Sequence, residues 1–448
     1  MKILCLLLAS FLLASFCNAE NILLSAATTN KELILLNVQY ASKKYTVVDY
    51  AIFNLPTQAG VTAVGRLQNG NFQVVWTAAD SSNKIRLNQM IIDPDLNQVG
   101  TTKKVGPVLS SFVNLNIVND SSQGLQATAI KKPPFLSYIT TNDALIRTIN
   151  KLNGNLQGPS QKLFKKPESV RLLDTAFSPN GENIYYSTLG YIESSKQYVA
   201  FFGNTSNTEF TSAFVFTGGD ILSIDVRAIP GTDDYYFFFV ERFANPLRYR
   251  IAYRRFDGPT GQPVGDLKIV VNSITGDMGQ LPFFNMLSVV ASTVDPTAVH
   301  VFHTDLNTNG DGTDIWDLFR STTGAGSGHR KLELTTIGGG SRFIYGLDAE
   351  TTKATVCLQD TNNPAPKVVA DLNTGTFLVQ CNGLTYVAMG RVSKAGSNVR
   401  LDYNSGNSTM SLSINLNNNT GTASIQPPQG NSCTIIDTNI NDNSCSLN

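Results

Sequence analysis

Charge, histidine and helical periodicity are all scarce in this 448-residue chain. Charged residues make up 15% of it, Lys plus Arg and Asp plus Glu stand at 34 each, and there are 3 His. So even a balance gives no electrostatic footprint for nucleic acid or an anionic membrane surface. His300, His303 and His329 are little material for a metal cage or for acid–base work. His300 and His303 lie three apart in a strand-like run, so they point to opposite faces and do not share a metal. No G-x-S-x-G elbow supplies a nucleophile. The runs GAGSG (324–328) and IGGG (337–340) read as turns, because neither sits between a strand and a helix as a phosphate cradle requires. After the first residues no apolar run approaches the ~18 needed to span a membrane, so no membrane span is expected. The polar end NDNSCSLN lacks the hydrophobic tail of a lipid-anchor signal.

The opening MKILCLLLASFLLASFCNAE has a positive residue, an apolar run and small residues before Glu20. That pattern predicts a secretory signal peptide over 1–19, cut after Ala19, and an extracellular location. Its removal takes Lys2 and no acid, so the mature chain stays near neutral. Cys5 and Cys17 leave with it, and Cys357, Cys381, Cys433 and Cys445 remain. An even count in an oxidising compartment predicts disulfides. Of the three connectivities that four cysteines allow, the local pairs Cys357–Cys381 and Cys433–Cys445 are preferred. Zinc is excluded because no short C-x-x-C spacing occurs. Asn119, Asn204, Asn407 and Asn418 head N-glycosylation sequons.

What fills the chain is a short β-rich run, a turn and another run, repeated. VTAVGRL, FQVVWTA, KIRLNQMII and TTKKVG give four strand candidates in about 45 residues. Similar quartets cover 170–217, 222–271 and 286–337, with less regular units at 112–165, 343–381 and 384–425 and a partial one at 22–55. A period of roughly 40–65 residues predicts an all-β fold, a β-propeller of four-stranded antiparallel blades over 20–425. Seven blades are expected, or eight if the partial unit forms its own. Residues 426–448, rich in Pro, Asn and Ser, are expected to form a polar tail outside the ring, with Cys433–Cys445 closing a small loop.

VGRLQNGNFQVVWTAADSSNKIRLNQMIIDPDLNQVG, AYRRFDGPTGQPVGDLKIV and VFHTDLNTNGDGTDIWDLFRSTTGAGSG resemble repeats of secreted bacterial propeller proteins, and AFSPNGENIYYS is similar to the strand–turn–strand signature of other propeller repeats. Within the third stretch, Asp305, Asn307, Asn309, Asp311 and Asp314 alternate around glycines, as oxygen ligands of calcium do. Trp316 stands where an EF-hand needs Glu. The loop is instead similar to the calcium hairpin of integrin alpha-chain FG-GAP repeats, with Asp314 one residue late, and that resemblance implies a bound calcium ion. The competing reading is a plain turn, since Asn, Asp and Gly also form turns.

Arg248, Arg250 and Arg254 in RYRIAYRRF fall on one side of a strand and could bind an anionic ligand; a solvated outer strand gives the same pattern. No acid/base pair or nucleophile is recognisable. The expected role is therefore a secreted or surface-associated binding or adhesion protein whose partner is an extracellular protein or glycan. The alternatives are a glycan-processing hydrolase or lyase on a propeller scaffold, and a structural coat or matrix protein.

Overall fold

The computed structural model describes residues 20–438 apart from internal segments, the longest being 119–134. The expected signal peptide, Asn119, Asn309, Asp311, Asn418, His329 and Cys445 lie outside the described residues. All described elements are strands, arranged in antiparallel sheets.

Six four-stranded sheets form the larger unit. Blade I contains β1 (Glu20–Thr28), β2 (Glu32–Ala41) and β3 (Lys44–Asn54), and is completed by β24 (Ile344–Thr351) beside β1. Blade II is β4–β7 (Ala59–Arg66, Phe72–Ala79, Ile85–Ile92, Gln98–Leu109). Blade III is β8–β11 (Leu115–Val118, Phe135–Ile139, Asp143–Thr148, Gln161–Lys165). Blade IV is β12–β15 (Val170–Phe177, Ile184–Ile192, Gln197–Asn204, Ser212–Val215). Blade V is β16–β19 (Asp220–Ala228, Asp234–Ala244, Leu247–Asp257, Pro263–Ile274). Blade VI is β20–β23 (Leu287–Ala291, Ala298–Leu306, Thr313–Ser321, Arg330–Lys331).

The first strands touch in the order β24, β4, β8, β12, β16, β20 and back to β24, so the sheets close into a ring. This is a β-propeller. Its sequence basis is burial on both faces of each sheet: β4, AGVTAVGR, is buried at every position. The run YYFFFV in β17 shows why no polar residue interrupts it. Tyr235, Phe237 and Phe239 enter the core between blades IV and V, while Tyr236 and Phe238 enter that between V and VI.

The remaining strands correct the expected count and boundary. Among the described residues the ring has six blades, not seven or eight. The unit at 343–381 forms no blade of its own, because its first strand, β24, is the inner strand of blade I. Among the described residues the chain beyond it pairs only with itself. One sheet holds β25–β28 (Thr355–Gln359, Lys367–Asp371, Thr376–Cys381, Leu384–Met389) and another β29–β33 (Arg391–Ala395, Asn398–Ser405, Ser408–Asn415, Thr420–Gln426, Cys433–Asp437). The two share a core that includes Leu358, Phe377, Val379, Leu412, Ile425 and Ile435. The expected boundary at 425 is thus replaced by one after Thr351, and the expected tail supplies β33. The physical reason is alternation: β31 and β32 bury every second residue, the mark of a sheet covered on one face, as in a sandwich. Asn382 and Gly383 turn β27 into β28 with φ of 49° and 76°, both positive as a two-residue Asn-Gly hairpin turn requires.

The sandwich also overturns the local disulfide pairing. Cys381 at the end of β27 bonds Cys433 at the start of β33, with Cα atoms 6.1 Å apart. Sequence proximity misled because the facing sheets bring distant segments together. The bridge closes a loop of 52 residues, worth roughly 4 kcal/mol in the chain-entropy account. Replacing Cys381 and Cys433 together by Ser is therefore expected to destabilise the C-terminal sandwich by about 2–4 kcal/mol while leaving the propeller transition in place. Two-transition calorimetry checks this, and a loss confined to the propeller transition contradicts it.

Candidate functional site

The first strands carry a polar residue at the same place in otherwise apolar sequence: Asp174 in LLDTAF, Asp225 in LSIDVRA, Ser288 in LSVVA and Asp348 in IYGLDAET. Each carboxylate reaches the main chain of the next blade. Val226 N–H donates to Asp174 at 2.5 Å, Val289 N–H to Asp225 at 2.9 Å and Val64 N–H to Asp348 at 2.8 Å. Ser288 Oγ donates to the other oxygen of Asp348 at 2.9 Å. Where acids are missing, hydroxyls take over: Thr175 donates to Ser137 at 2.8 Å, and Ser25 and Thr62 lie 2.7 Å apart.

Arg227 joins this axial group, donating to the Val289 carbonyl and lying 3.3 Å from Asp225. Burial lowers its basicity, but Asp225, Asp174, Asp348 and Glu350 raise it more. One guanidinium does not offset so many acids. Burial pushes Asp225 well above the usual carboxylate range and Asp348 up to about 7, against the pull of Arg227. A carboxyl half-protonated near neutrality is what a general acid needs. Asp174, Asp225 and Asp348 are nevertheless no more than 5% exposed, and their contacts tie blades together.

A second polar group lies between blades VI and I. Tyr45 and Glu20 flank His300, with Tyr45 Oη 2.7 Å from Nδ1 and a Glu20 oxygen 2.5 Å from Nε2, and Ser292 donates to Glu20 at 2.9 Å. His303 faces the other way and stacks on its cross-strand partner Trp316. The two histidines are separated as their spacing implies.

The predicted ion hairpin joins β21 to β22. Asp305 and Asp314 are cross-strand partners, and Asn307 N–H donates to the Gly312 carbonyl at 2.9 Å. Asp314 pairs with Lys331 at 2.6 Å, so a cation already faces one proposed ligand. Among the described residues no group of three or more His, Cys, Asp or Glu is placed to hold a metal. The arginines of β18 do share a face, and it packs towards aromatic rings. Arg248 and Arg250 lie 4.6 and 4.8 Å from the centre of Phe243, Arg250 also pairs with Glu241 at 2.6 Å, and Arg254 lies 5.4 Å from the centre of Phe214. Cation–π contacts with these rings thus hold the three arginines against the sheet. Of the sequons, Asn204 ends β14, and Asn407 is exposed in the turn between β30 and β31. Cys357 lies in β25.

The sequence reading missed a cleft on the C-terminal sheet. A concavity of 320 Å³ is lined by Asp402, Tyr403, Asn404, Thr409, Met410, Ser411 and Ser424 of β30, β31 and β32. Register explains the cluster: Asp402 opposes Ser411, Asn404 opposes Thr409, and Ser411 opposes Ser424. Against the cost of partial burial, hydrogen bonds from Arg400 at 2.7 Å and Ser411 at 2.9 Å hold the Asp402 carboxyl below its ordinary range. The signal was present in the alternation of β31, where hydroxyls occupy the face opposite Met410, Leu412 and Ile414.

No family model and no curated protein matches this chain. Solved structures similar to it include an alpha-L-arabinofuranosidase from Fusarium graminearum, 10% identical with a TM-score of 0.41, covering 73% of this chain and 91% of that one. The catalytic domain of a GH62 alpha-L-arabinofuranosidase from Coprinopsis cinerea is 11% identical with a TM-score of 0.35, covering 60% and 92%. The β-propeller domain of the trilobed protease from Pyrococcus furiosus is 10% identical with a TM-score of 0.30, covering 86% and 98%. At such identities these likenesses concern architecture, and they carry no activity over to this chain. Among the described residues no helix is long and apolar enough to cross a membrane.

Burial also raises Asp317 to about 7, with Arg330 on the neighbouring strand pulling it back, and one of its oxygens has no hydrogen-bond partner among the described residues. Asp317 and Asp348 therefore bind more protons in the folded than in the unfolded state between about pH 4 and 7, and stability falls as pH rises through that window. Asp317→Asn, neutral throughout, is expected to recover about 1–2 kcal/mol at pH 8 and little at pH 5. Melting curves at the two pH values check this, and an equal shift at both contradicts it.

Proposed function

We propose that the protein is a secreted, propeller-based glycan-recognition protein whose C-terminal sheet carries a sugar-binding cleft. The observation that carries this reading is the lining of the cleft. Three aliphatic hydroxyls and that of Tyr403, an amide and a carboxylate whose charge Arg400 already balances offer mixed donors and acceptors with no net charge, which suits a neutral polyol. Its volume of 320 Å³ lies at the small end of ligand sites, in keeping with one or two sugar residues. Titrating the full chain, made without N-glycans, with methyl mannoside and N-acetylglucosamine is expected to give saturable millimolar binding. Asp402→Ala is expected to weaken it roughly tenfold, since a hydrogen bond to a charged group is worth about 1.5–3 kcal/mol. Absence of saturation at tens of millimolar overturns the reading.

A second reading, processing of a glycan at the ring axis, is favoured by the acids that three blades bring together with Arg227, above all the raised Asp348. Its test is release of reducing ends from arabinan and other plant and fungal polysaccharides, with Asp348→Asn as the control. Release that survives Asp348→Asn removes the axis from the reading.

The calcium hairpin is retained as part of the proposal, with Asp305 and Asn307 as ligands on the described side of the loop and the Asp314–Lys331 pair as the competing contact. Millimolar calcium is expected to raise the melting temperature of the propeller, and chelator to reverse it. An unchanged transition removes the ion.

A further inference from the structure

The tip of the β30–β31 hairpin carries a second chemical signal. Ser405 and Ser408 are its last paired residues, so Gly406 and Asn407 form a two-residue turn. Gly406 has φ of +58° and Asn407 does not share the positive sign, as expected of a hairpin turn with glycine in the first central place. This turn holds Asn407 at the exposed end of the hairpin, and Asn407-Ser408-Thr409 is a sequon. The same two strands line the cleft. Asn404 and Thr409, the nearest lining residues on either side, lie three and two positions from Asn407, and Thr409 is also the hydroxyl residue of the sequon. Two residues of strand span at most about 7 Å, so a sugar attached at Asn407 begins beside the cleft rather than across the molecule from it.

We propose that Asn407 is N-glycosylated and that the first neutral sugars of this attached chain fold back into the cleft of its own sheet, closing it to outside glycans. The proposal rests on the reading of the cleft as a sugar site. Tethering favours the attached sugar. It meets the cleft at an effective concentration in the millimolar range or above, matching the weak affinity expected of so small and solvated a site. A free glycan therefore competes only when Asn407 is bare or its chain is trimmed. The modification acts as a built-in occupant, by mass action and without any change of fold.

The test uses the full chain from a glycosylating host, beside Asn407→Gln and beside the same protein after enzymatic removal of its N-glycans. Peptide mass spectrometry is expected to find sugar on Asn407. Nuclear magnetic resonance is expected to show shifts at residues 402–411 and at Ser424 on removal. Titration with N-acetylglucosamine is expected to show at least fivefold tighter apparent binding for the bare forms, and Asp402→Ala on the Asn407→Gln background is expected to weaken it about tenfold. An unmodified Asn407, or a modified one whose removal moves neither the cleft signals nor the binding, overturns the proposal. Cleft signals that move while no form binds free sugar leave the internal occupant standing and remove the outside ligand. Free-sugar binding that is equal in all forms keeps the cleft and removes the occupant.

Discussion

The antiparallel pairing of Ile344–Thr351 with Glu20–Thr28 is the contact on which the propeller depends. A ring of sheets has two chain ends to join, and no packing of side chains between blades substitutes for main-chain bonds along an open edge. Here one C-terminal strand is lent to three N-terminal ones, in near-continuous register from Ile22↔Thr351 to Ala27↔Gly346. Gly346 belongs to the same constraint. A Cβ there would meet the main chain of Val61 at 2.8 Å, so the inner strands of blades I and II approach as closely as they do because that residue has no side chain. Glu20, Tyr45 and His300 reinforce the seam from outside the axis with a polar contact that burial keeps dry.

Within the ring, the axial acids show how a structural demand can imitate a catalytic one. Asp174, Asp225 and Asp348 accept hydrogen bonds from main-chain N–H groups of the next blade, so each links two sheets through a buried bond. The same burial raises the affinity of Asp225 and Asp348 for protons, and Arg227 together with the hydrogen bonds from Val289, Val64, Ala349 and Ser288 opposes the rise. Raised acids next to an arginine are a feature of functional sites and equally of dry polar networks. The C-terminal cleft is of another kind. Its carboxylate is solvated, held low and set among hydroxyls on an open sheet face.

The sequence made the blades legible because their inner strands are buried on both faces and turns recur at a regular spacing. It misleads at the C-terminus, where the spacing of strands and turns continues past the ring but burial becomes one-sided. In β31 each of Met410, Leu412 and Ile414 is buried and the residues between are not, a pattern of one-sided burial that the inner strand β4 does not show. Disulfide choice failed for a related reason: Cys381 and Cys433 sit on facing sheets, and only the sandwich makes them neighbours. Of the site residues, the axial acids were readable as lone Asp residues in apolar strands. The separation of His300 from His303 followed from strand geometry. The aromatic stacking of Arg248, Arg250 and Arg254 was not readable, because Phe243 and Phe214 come from other strands of the folded sheets.

The lent strand has a consequence for the order of events at synthesis. β1 is buried along almost its whole length, and its partner β24 follows about 300 residues later, so at ordinary rates of translation the edge of β1 waits roughly 15–60 s for the strand that covers it. During that time blade I is a three-stranded sheet whose exposed edge reads ENILLSAAT, an apolar segment able to pair with any other extended chain. The first blade to be synthesised is therefore the last to be finished. A chain that halts before residue 344 presents an open strand to its neighbours rather than a smaller propeller.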